Sequence, residues 1–293
     1  MNYYNQIKEQ LINNEIYKKV KDYSKNKNNL MTYYNVGKLL NAAGKHYGEE
    51  IIKEYSEKLT QDIGKKYAYS SLSRMRQFYW KFRKVAPPEQ LSWSHYKILI
   101  PIKDINEINY YIEQVIKRNL SKRELERIIK EKEYERLPNN TKEKIINNVN
   151  NKIEDYIKNP IIIKNNNKYD GISEKVLQQL ILEDIPAFLS ELGNGFTFIK
   201  NEYPIKMGDK YNYIDLLLFN IEFNCYVVVE LKVTELKKEH LGQIQVYMNY
   251  IDENIKKPIQ NKTVGIIICK EDNKFILKYC SDDRIFSTKY ITI

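Results

Sequence analysis

Cysteine and histidine are both scarce, with three of each in 293 residues. Cys225, Cys269 and Cys280 contain no CxxC pair, which excludes a disulfide framework and a four-cysteine zinc site. His46, His95 and His240 are too few for a histidine-built metal centre. Long apolar runs are missing as well. No stretch approaches the roughly 20 residues of a transmembrane helix, so no membrane partner is expected. The opening MNYYNQIKEQ has no apolar h-region, so no signal peptide is visible and the expected location is the cytoplasm. What remains is ordinary globular usage, 42% hydrophobic and 29% charged, in a length that allows about two domains.

Charge separates the two halves. The net +10 is the sum of +11 over residues 1–150 and −1 over residues 151–293. Within the first half, residues 63–88 hold seven basic side chains and no acid: Lys65, Lys66, Arg74, Arg76, Lys81, Arg83 and Lys84. Tyr67, Tyr69, Phe78, Tyr79, Trp80 and Phe82 are interleaved with them. Such asymmetry points to a polyanion, and these seven residues are the candidate nucleic-acid contacts. The plainer reading is a solvated basic face whose aromatics pack inward.

Periodicity makes the first half helical. Helices are expected at 30–43, ended by Gly44 and Gly48, at 49–63 and at 70–85, the last capped by Ser70 or Ser71. Leu72, Met75, Tyr79 and Phe82 form its core stripe, with Arg74 and Arg76 pointing away. The short link between the second and third makes residues 49–85 a candidate helix-turn-helix. Further helices are expected at 94–100, 105–118 and 122–135, with Ser121 and Glu124 in a capping box. Pro138 and repeated asparagines mark 137–171 as a linker, within which residues 142–157 carry a helical pattern. The second half changes period: a helix at 174–192 despite Pro186, strands at 196–199, 212–219 and 225–233, a helix at 239–251, a strand at 263–269 and a further strand candidate at 275–280. The expected architecture is a basic helical domain (1–136), a linker (137–171) and an α/β domain with a mixed sheet flanked by helices (172–293).

One strand carries the chemistry. In CYVVVELKV, Val228, Glu230 and Lys232 share one face, and Val227, Val229, Leu231 and Val233 share the other. A charged pair inside so apolar a strand is expensive unless something pairs it. The preceding strand contributes Asp215 in YIDLLLF. Two carboxylates on adjacent strands with an ammonium nearby describe an oxygen-ligated divalent metal site, for Mg²⁺ or Mn²⁺. The plainer reading is an edge hairpin with solvated salt bridges.

Asp215 followed by Glu230-Leu231-Lys232 resembles the PD-(D/E)xK signature of restriction-endonuclease-like nucleases. Gly193-Asn194-Gly195-Phe196, Tyr213-Ile214-Asp215-Leu216-Leu217, Val229-Glu230-Leu231-Lys232, Gly242-Gln243 and Gly265-Ile266-Ile267-Ile268-Cys269 are together similar to the nuclease domain of the YhcG-like family. Ser71-Leu72-Ser73-Arg74-Met75-Arg76-Gln77-Phe78-Tyr79, Leu91-Ser92-Trp93-Ser94-His95-Tyr96 and Ser121-Lys122-Arg123-Glu124-Leu125-Glu126-Arg127 are similar to that family's N-terminal domain. The resemblance implies that Asp215, Glu230 and the Leu231 carbonyl hold the metal. It implies that Lys232 orients or deprotonates the attacking water or stabilises the phosphorane, and that Gln243 and Tyr247 support the site. One departure is Gln178, which aligns where related domains often place a glutamate; Glu174 and Glu183 are the candidate substitutes.

The expected function is a metal-dependent DNA endonuclease whose helical domain binds DNA. A two-fold homodimer is the commonest way to cut two strands symmetrically. The competing readings are a nuclease fold retained as a weak or inactive DNA-binding adaptor, and a nuclease directed at RNA.

Overall fold

Apolar residues three and four apart dictate the helices of the first half, and a period of two dictates most strands of the second. A computed structural model describes residues 3–19, 25–83, 87–147, 152–280 and 282–293. The chain divides into two compact units, Met1–Tyr134 and Glu135–Ile293.

The first unit is all-α among its described residues. Its helices are α1 (Tyr3–Lys19), α2 (Lys25–Tyr47), α3 (Glu50–Ile63), α4 (Tyr69–Phe82), α5 (Trp93–Leu99), α6 (Ile105–Arg118) and α7 (Lys122–Lys130). α1 was not anticipated. α2 runs through Gly44 and stops at Gly48, whose φ of 86° a side chain would resist. The cap of α4 is Ala68, so Ser70 and Ser71 lie inside the helix and do not cap it. Its buried stripe is Leu72, Met75, Phe78 and Phe82; Phe78 takes the core place expected for Tyr79, which sits edge-on to Tyr34 at 5.1 Å. α7 ends at Lys130, five residues early, and Lys132 has the positive φ of a chain leaving a helix. The Ser121–Glu124 capping box is formed, with Ser121 N–H donating to Glu124 at 2.7 Å. α3 and α4 are joined by a short 3-10 turn at Lys65–Tyr67, but the closest backbone approach of α4 is to α2. A methyl group on Gly37 of α2 would stand 2.1 Å from the Met75 carbonyl oxygen.

The second unit holds α8 (Asn139–Asn147), β1 (Ile161–Ile163), α9 (Glu174–Glu183), α10 (Ile185–Leu192), β2 (Phe196–Met207), β3 (Lys210–Asn220), β4 (Cys225–Glu235), α11 (Lys238–Asn254), β5 (Val264–Glu271), α12 (Lys274–Cys280) and β6 (Ile285–Thr292). The sheet order is β1-β6-β5-β4-β3-β2. β1, β6, β5 and β4 run parallel, and the β3 and β2 pairings are antiparallel. Part of the stretch read as a linker therefore builds structure: α8, and the edge strand β1 paired on β6. The helix expected at 174–192 is two. Asp184 leaves helical geometry (φ −141°, ψ 62°), and its carboxylate caps Ala187 N–H at 3.1 Å with Pro186 in the first turn of α10. The strand expected at 275–280 is instead α12, with Asn273 accepting from Phe275 N–H at its start.

Alternation on β3 to β5 splits the apolar residues between two layers. Leu216, Leu218, Val227, Val229, Leu231, Ile266 and Ile268 pack with α9 and α10. Leu217, Val228, Ile267 and Cys269 pack with α11 through Leu241, Ile244, Tyr247, Met248 and Ile251. Cys225 and Cys269 are buried free thiols. Among the described residues no helix is long and apolar enough to cross a membrane.

Two predictions follow from packing and charge. Gly37→Ala should cost about 1–3 kcal/mol by overpacking, since the obstacle is backbone. Gly265→Ala should cost less, because it meets side-chain atoms, Met248 Sδ at 2.7 Å and Ile244 Cδ1 at 2.9 Å, which can shift by rotation where backbone cannot. Thermal denaturation ranks the two, and an equal loss would refute the close α2–α4 crossing. The second concerns Glu191, which is buried and accepts from Arg136 and, at 2.8 Å, from Ile162 N–H. Burial pushes its carboxyl up, but the Arg136 hydrogen bonds and the charges of Lys158 and Arg136 outweigh that and hold it below the ordinary 4.5. A depressed folded pKa contributes stability that is present above the unfolded value and lost as pH falls through the folded one. Stability should therefore drop below about pH 4.5, and Glu191→Gln should flatten that acid limb in urea titrations.

Candidate active site

β3 and β4 pair only as far as Leu216 opposite Val229. Beyond that point β3 continues against β2 alone and β4 against β5 alone. Where the strands part, backbone groups lose their ladder partners, and buried ones must find others. The Asp215 carboxylate takes one of them, accepting the Leu231 N–H at 2.8 Å. The Gln178 side chain takes another, its amide donating to the Asp215 carbonyl oxygen at 3.1 Å. Asp215 is thereby fixed on both its side chain and its backbone.

Glu230 and Lys232 follow on β4. Glu230 is buried at 1% exposure, and its Oε2 lies 3.3 Å from the Lys232 ammonium. Its other oxygen, Oε1, is buried without a hydrogen-bond partner. Burial, reinforced by the Asp215 charge, pushes the Glu230 carboxyl up to about 8. Burial raises Asp215 as well, with Glu174 and Glu202 adding to the effect and the Leu231 N–H opposing it. Burial works against the Lys232 ammonium, but the charges of Glu230, Glu174 and Asp215 outweigh it and hold Lys232 above its ordinary range.

The structure brings Asp215, Glu230 and Lys232 together. Gln178 of α9 reaches the site through backbone. Glu174 of α9 lies 3.8 Å from Lys232, whereas Glu183 accepts from the Asn167 side chain at 2.8 Å. Glu202 was not anticipated. It lies across from Asp215, between the Asn201–Leu216 and Tyr203–Ile214 pairs, with a positive φ of 45°. The only sequence signal there is Pro204, which marks an edge strand. Gln243 donates to the Tyr247 hydroxyl at 3.0 Å, one turn apart on α11. Neither bonds the carboxylates among the described residues. His240 caps α11 by accepting Lys237 N–H at 3.1 Å; burial first, then the charges of Lys232 and Lys237, lower its pKa.

The donor set fits a hard divalent cation: two carboxylates, one with an unpartnered buried oxygen, and a backbone carbonyl next to them in sequence. Among the described residues no group of three or more His, Cys, Asp or Glu is placed to hold a metal. A cation held here would keep positions for water or substrate, the habit of Mg²⁺.

The seven basic residues of 63–88 have unequal fates. Lys66 pairs with Glu15 and lies over the Tyr67 ring, Arg76 pairs with Glu49, and Lys81 donates to the Ile102 carbonyl. Burial lowers the Lys81 pKa. Arg74 is exposed, and Arg83 stacks on the exposed Trp80 ring at 4.1 Å. Lys65 begins the 3-10 turn, and Lys84 lies outside the described residues.

Two domain families match the chain in sequence order. Residues 154–293 match the family model of the YhcG PDDEXK nuclease domain, and residues 7–136 match that of the DUF1016 N-terminal domain. A protein of Escherichia coli (strain K12) described as "Putative nuclease YhcG" is 24% identical over 264 residues, 77% of this chain and 70% of the relative. The crystal structure of a repair endonuclease from Pyrococcus abyssi matches at 20% identity over 42% of this chain and 48% of that chain, with a TM-score of 0.29. The structure of an EndoMS-dsDNA2 complex matches at 18% identity over 43% and 48%, also with a TM-score of 0.29. The chain thus spans about half the length of these two solved structures. The mixed sheet with helices on both faces lies within the part of the chain that matches the YhcG PDDEXK nuclease domain, and the helical unit, from residue 7 on, within the part that matches the DUF1016 N-terminal domain.

Proposed function

We propose that the chain is a cytoplasmic, metal-dependent DNA endonuclease, with its helical unit binding DNA and its second unit hydrolysing phosphodiester bonds. The observation that carries the reading is the unpartnered, buried Glu230 Oε1 beside Asp215 and Lys232 at the parting of β3 and β4. Asp215, Glu230 and the Leu231 carbonyl are the proposed ligands of Mg²⁺ or Mn²⁺. When bound, such an ion neutralises charge on the attacked phosphate and makes a water nucleophilic at neutral pH. Lys232, held protonated by its acidic neighbours, suits a role as a fixed positive charge where the phosphate gains negative charge, more than as a base. Gln178 acts as a positioning residue, holding the Asp215 backbone while Leu231 N–H orients its carboxylate. Gln243 and Tyr247 stiffen α11 behind the site. Two copies would cut both strands of a duplex symmetrically.

The second reading, a weak or inactive nuclease fold acting as a DNA-binding adaptor, draws on Gln178, a neutral group where related domains often carry a carboxylate. Plasmid cleavage with Mg²⁺ and with EDTA separates the two. The native chain should cut only with the metal. Lys232→Ala should keep its circular dichroism and DNA affinity but lose at least about 100-fold in rate. Metal-dependent cutting at the native rate by that variant would sink the assignment. Gln178→Leu strips the Asp215 carbonyl of its donor and should destabilise the second unit by about 1–3 kcal/mol, with slower cleavage. A native urea midpoint and a native rate would remove Gln178 from its positioning role.

A further inference from the structure

The helical unit has a small recess at the start of α4. Its volume is about 130 Å³, and its lining includes Lys66, Tyr67, Ser71, Arg74, Trp93 and Lys97. Ser71 and Arg74 stand one turn apart on α4, and Trp93 and Lys97 one turn apart on α5, so each helix turns one face toward the recess. The Lys66 ammonium is committed to Glu15. Arg74 and Lys97 are exposed and have no acidic partner among the described residues. The recess therefore carries an excess of two positive charges. α4 adds to it, because the helix starts on Ala68 with no side-chain cap. The positive end of its dipole has no side chain answering it.

We propose that this recess binds one phosphate group of a DNA backbone, gripped jointly by Arg74 and Lys97 with the Ser71 hydroxyl as a further donor. Two neighbouring cations and a hydroxyl match one phosphodiester, whose charge-assisted hydrogen bonds are the strong ones. The volume lies well below the roughly 300–1,000 Å³ of small-molecule pockets, so it takes a phosphate and not a nucleoside. Tyr67 and Trp93 make the walls stiff, which fixes where that phosphate sits. The contact carries no sequence information; it sets the register of the helical unit on the duplex. The proposal rests on the reading that the chain binds DNA, and it adds Ser71, one turn before Arg74 on α4, and Lys97 of α5 to the contacts expected from the basic stretch.

The test is the salt dependence of binding to a short fluorescent DNA duplex, measured on the full chain in EDTA. The native chain is compared with Arg74→Gln, Lys97→Gln and the double variant. One shared phosphate predicts that the double variant lowers the slope of log Kd against log salt by about 0.9 and weakens binding roughly tenfold. Each single variant should already lose most of that, because the two cations act on one group. An unchanged slope in the double variant overturns the recess as a contact. A loss of about 1.8, shared equally between the single variants, also overturns it by showing two separate phosphates. If the native chain fails to bind duplex DNA, or if only an RNA duplex shows the effect, the DNA reading falls and this proposal with it. Native binding with an unaffected double variant leaves the DNA reading standing and removes the recess alone.

Discussion

The second unit depends on the place where β3 and β4 stop pairing. A sheet that opens in its middle leaves backbone donors and acceptors with nothing to bond, and burial makes each such group costly. Here side chains replace the missing ladder: the Asp215 carboxylate on the Leu231 N–H and the Gln178 amide on the Asp215 carbonyl. The opening lets carboxylates stand between strands that are otherwise apolar. The bonds that stabilise the opening also fix the geometry of the groups inside it. The position of Asp215 is set by the same requirement that keeps the sheet intact.

Charge in the helical unit obeys a related rule. The acid-free stretch from 63 to 88 is a property of sequence, and folding partly cancels it. Glu15 of α1 and Glu49, just before α3, meet Lys66 and Arg76. The Ile102 carbonyl takes Lys81 into a half-buried site. Net charge counts all of these equally, but a cation already bound by a carboxylate has less to offer a phosphate than one standing alone. Arg74 and Arg83 keep their charge toward solvent. Lys97, well outside the basic run, joins Arg74 across the recess.

Sequence pattern made legible those features that repeat locally. The alternation of CYVVVELKV places its residues on two faces, and the two core layers confirm that division residue by residue. The Ser121–Glu124 box depends on residues three apart, and it forms. What pattern could not supply was long-range partnership. Ile161–Ile163 is too short to announce a strand and becomes one by pairing with β6 more than a hundred residues away. Residues 275–280 are a short apolar run that either period could fit, and Asn273 at its head settles it as a helix. Glu202 and the substitution of side chains for ladder bonds at Asp215 have no local signature, since each is defined by what lies on the next strand or helix.

The placement of Lys232 shows why the site needs all three ionisable groups. Asp215 and Glu230 are both raised by burial, so each alone would tend to hold a proton and lose its value as an anion. Lys232 opposes that for both, and they in turn, with Glu174, keep it charged against its own desolvation. The set carries one negative charge in excess when fully ionised. Burial and the Asp215 charge, which push Glu230 up, favour a proton that balances that excess. A divalent cation is the other group that could balance it, and its binding would release that proton. A salt-bridged edge hairpin, the plainer reading of the same residues, would leave them solvated with ordinary pKa values. The burial of Glu230 and its unpartnered oxygen are what separate the two readings.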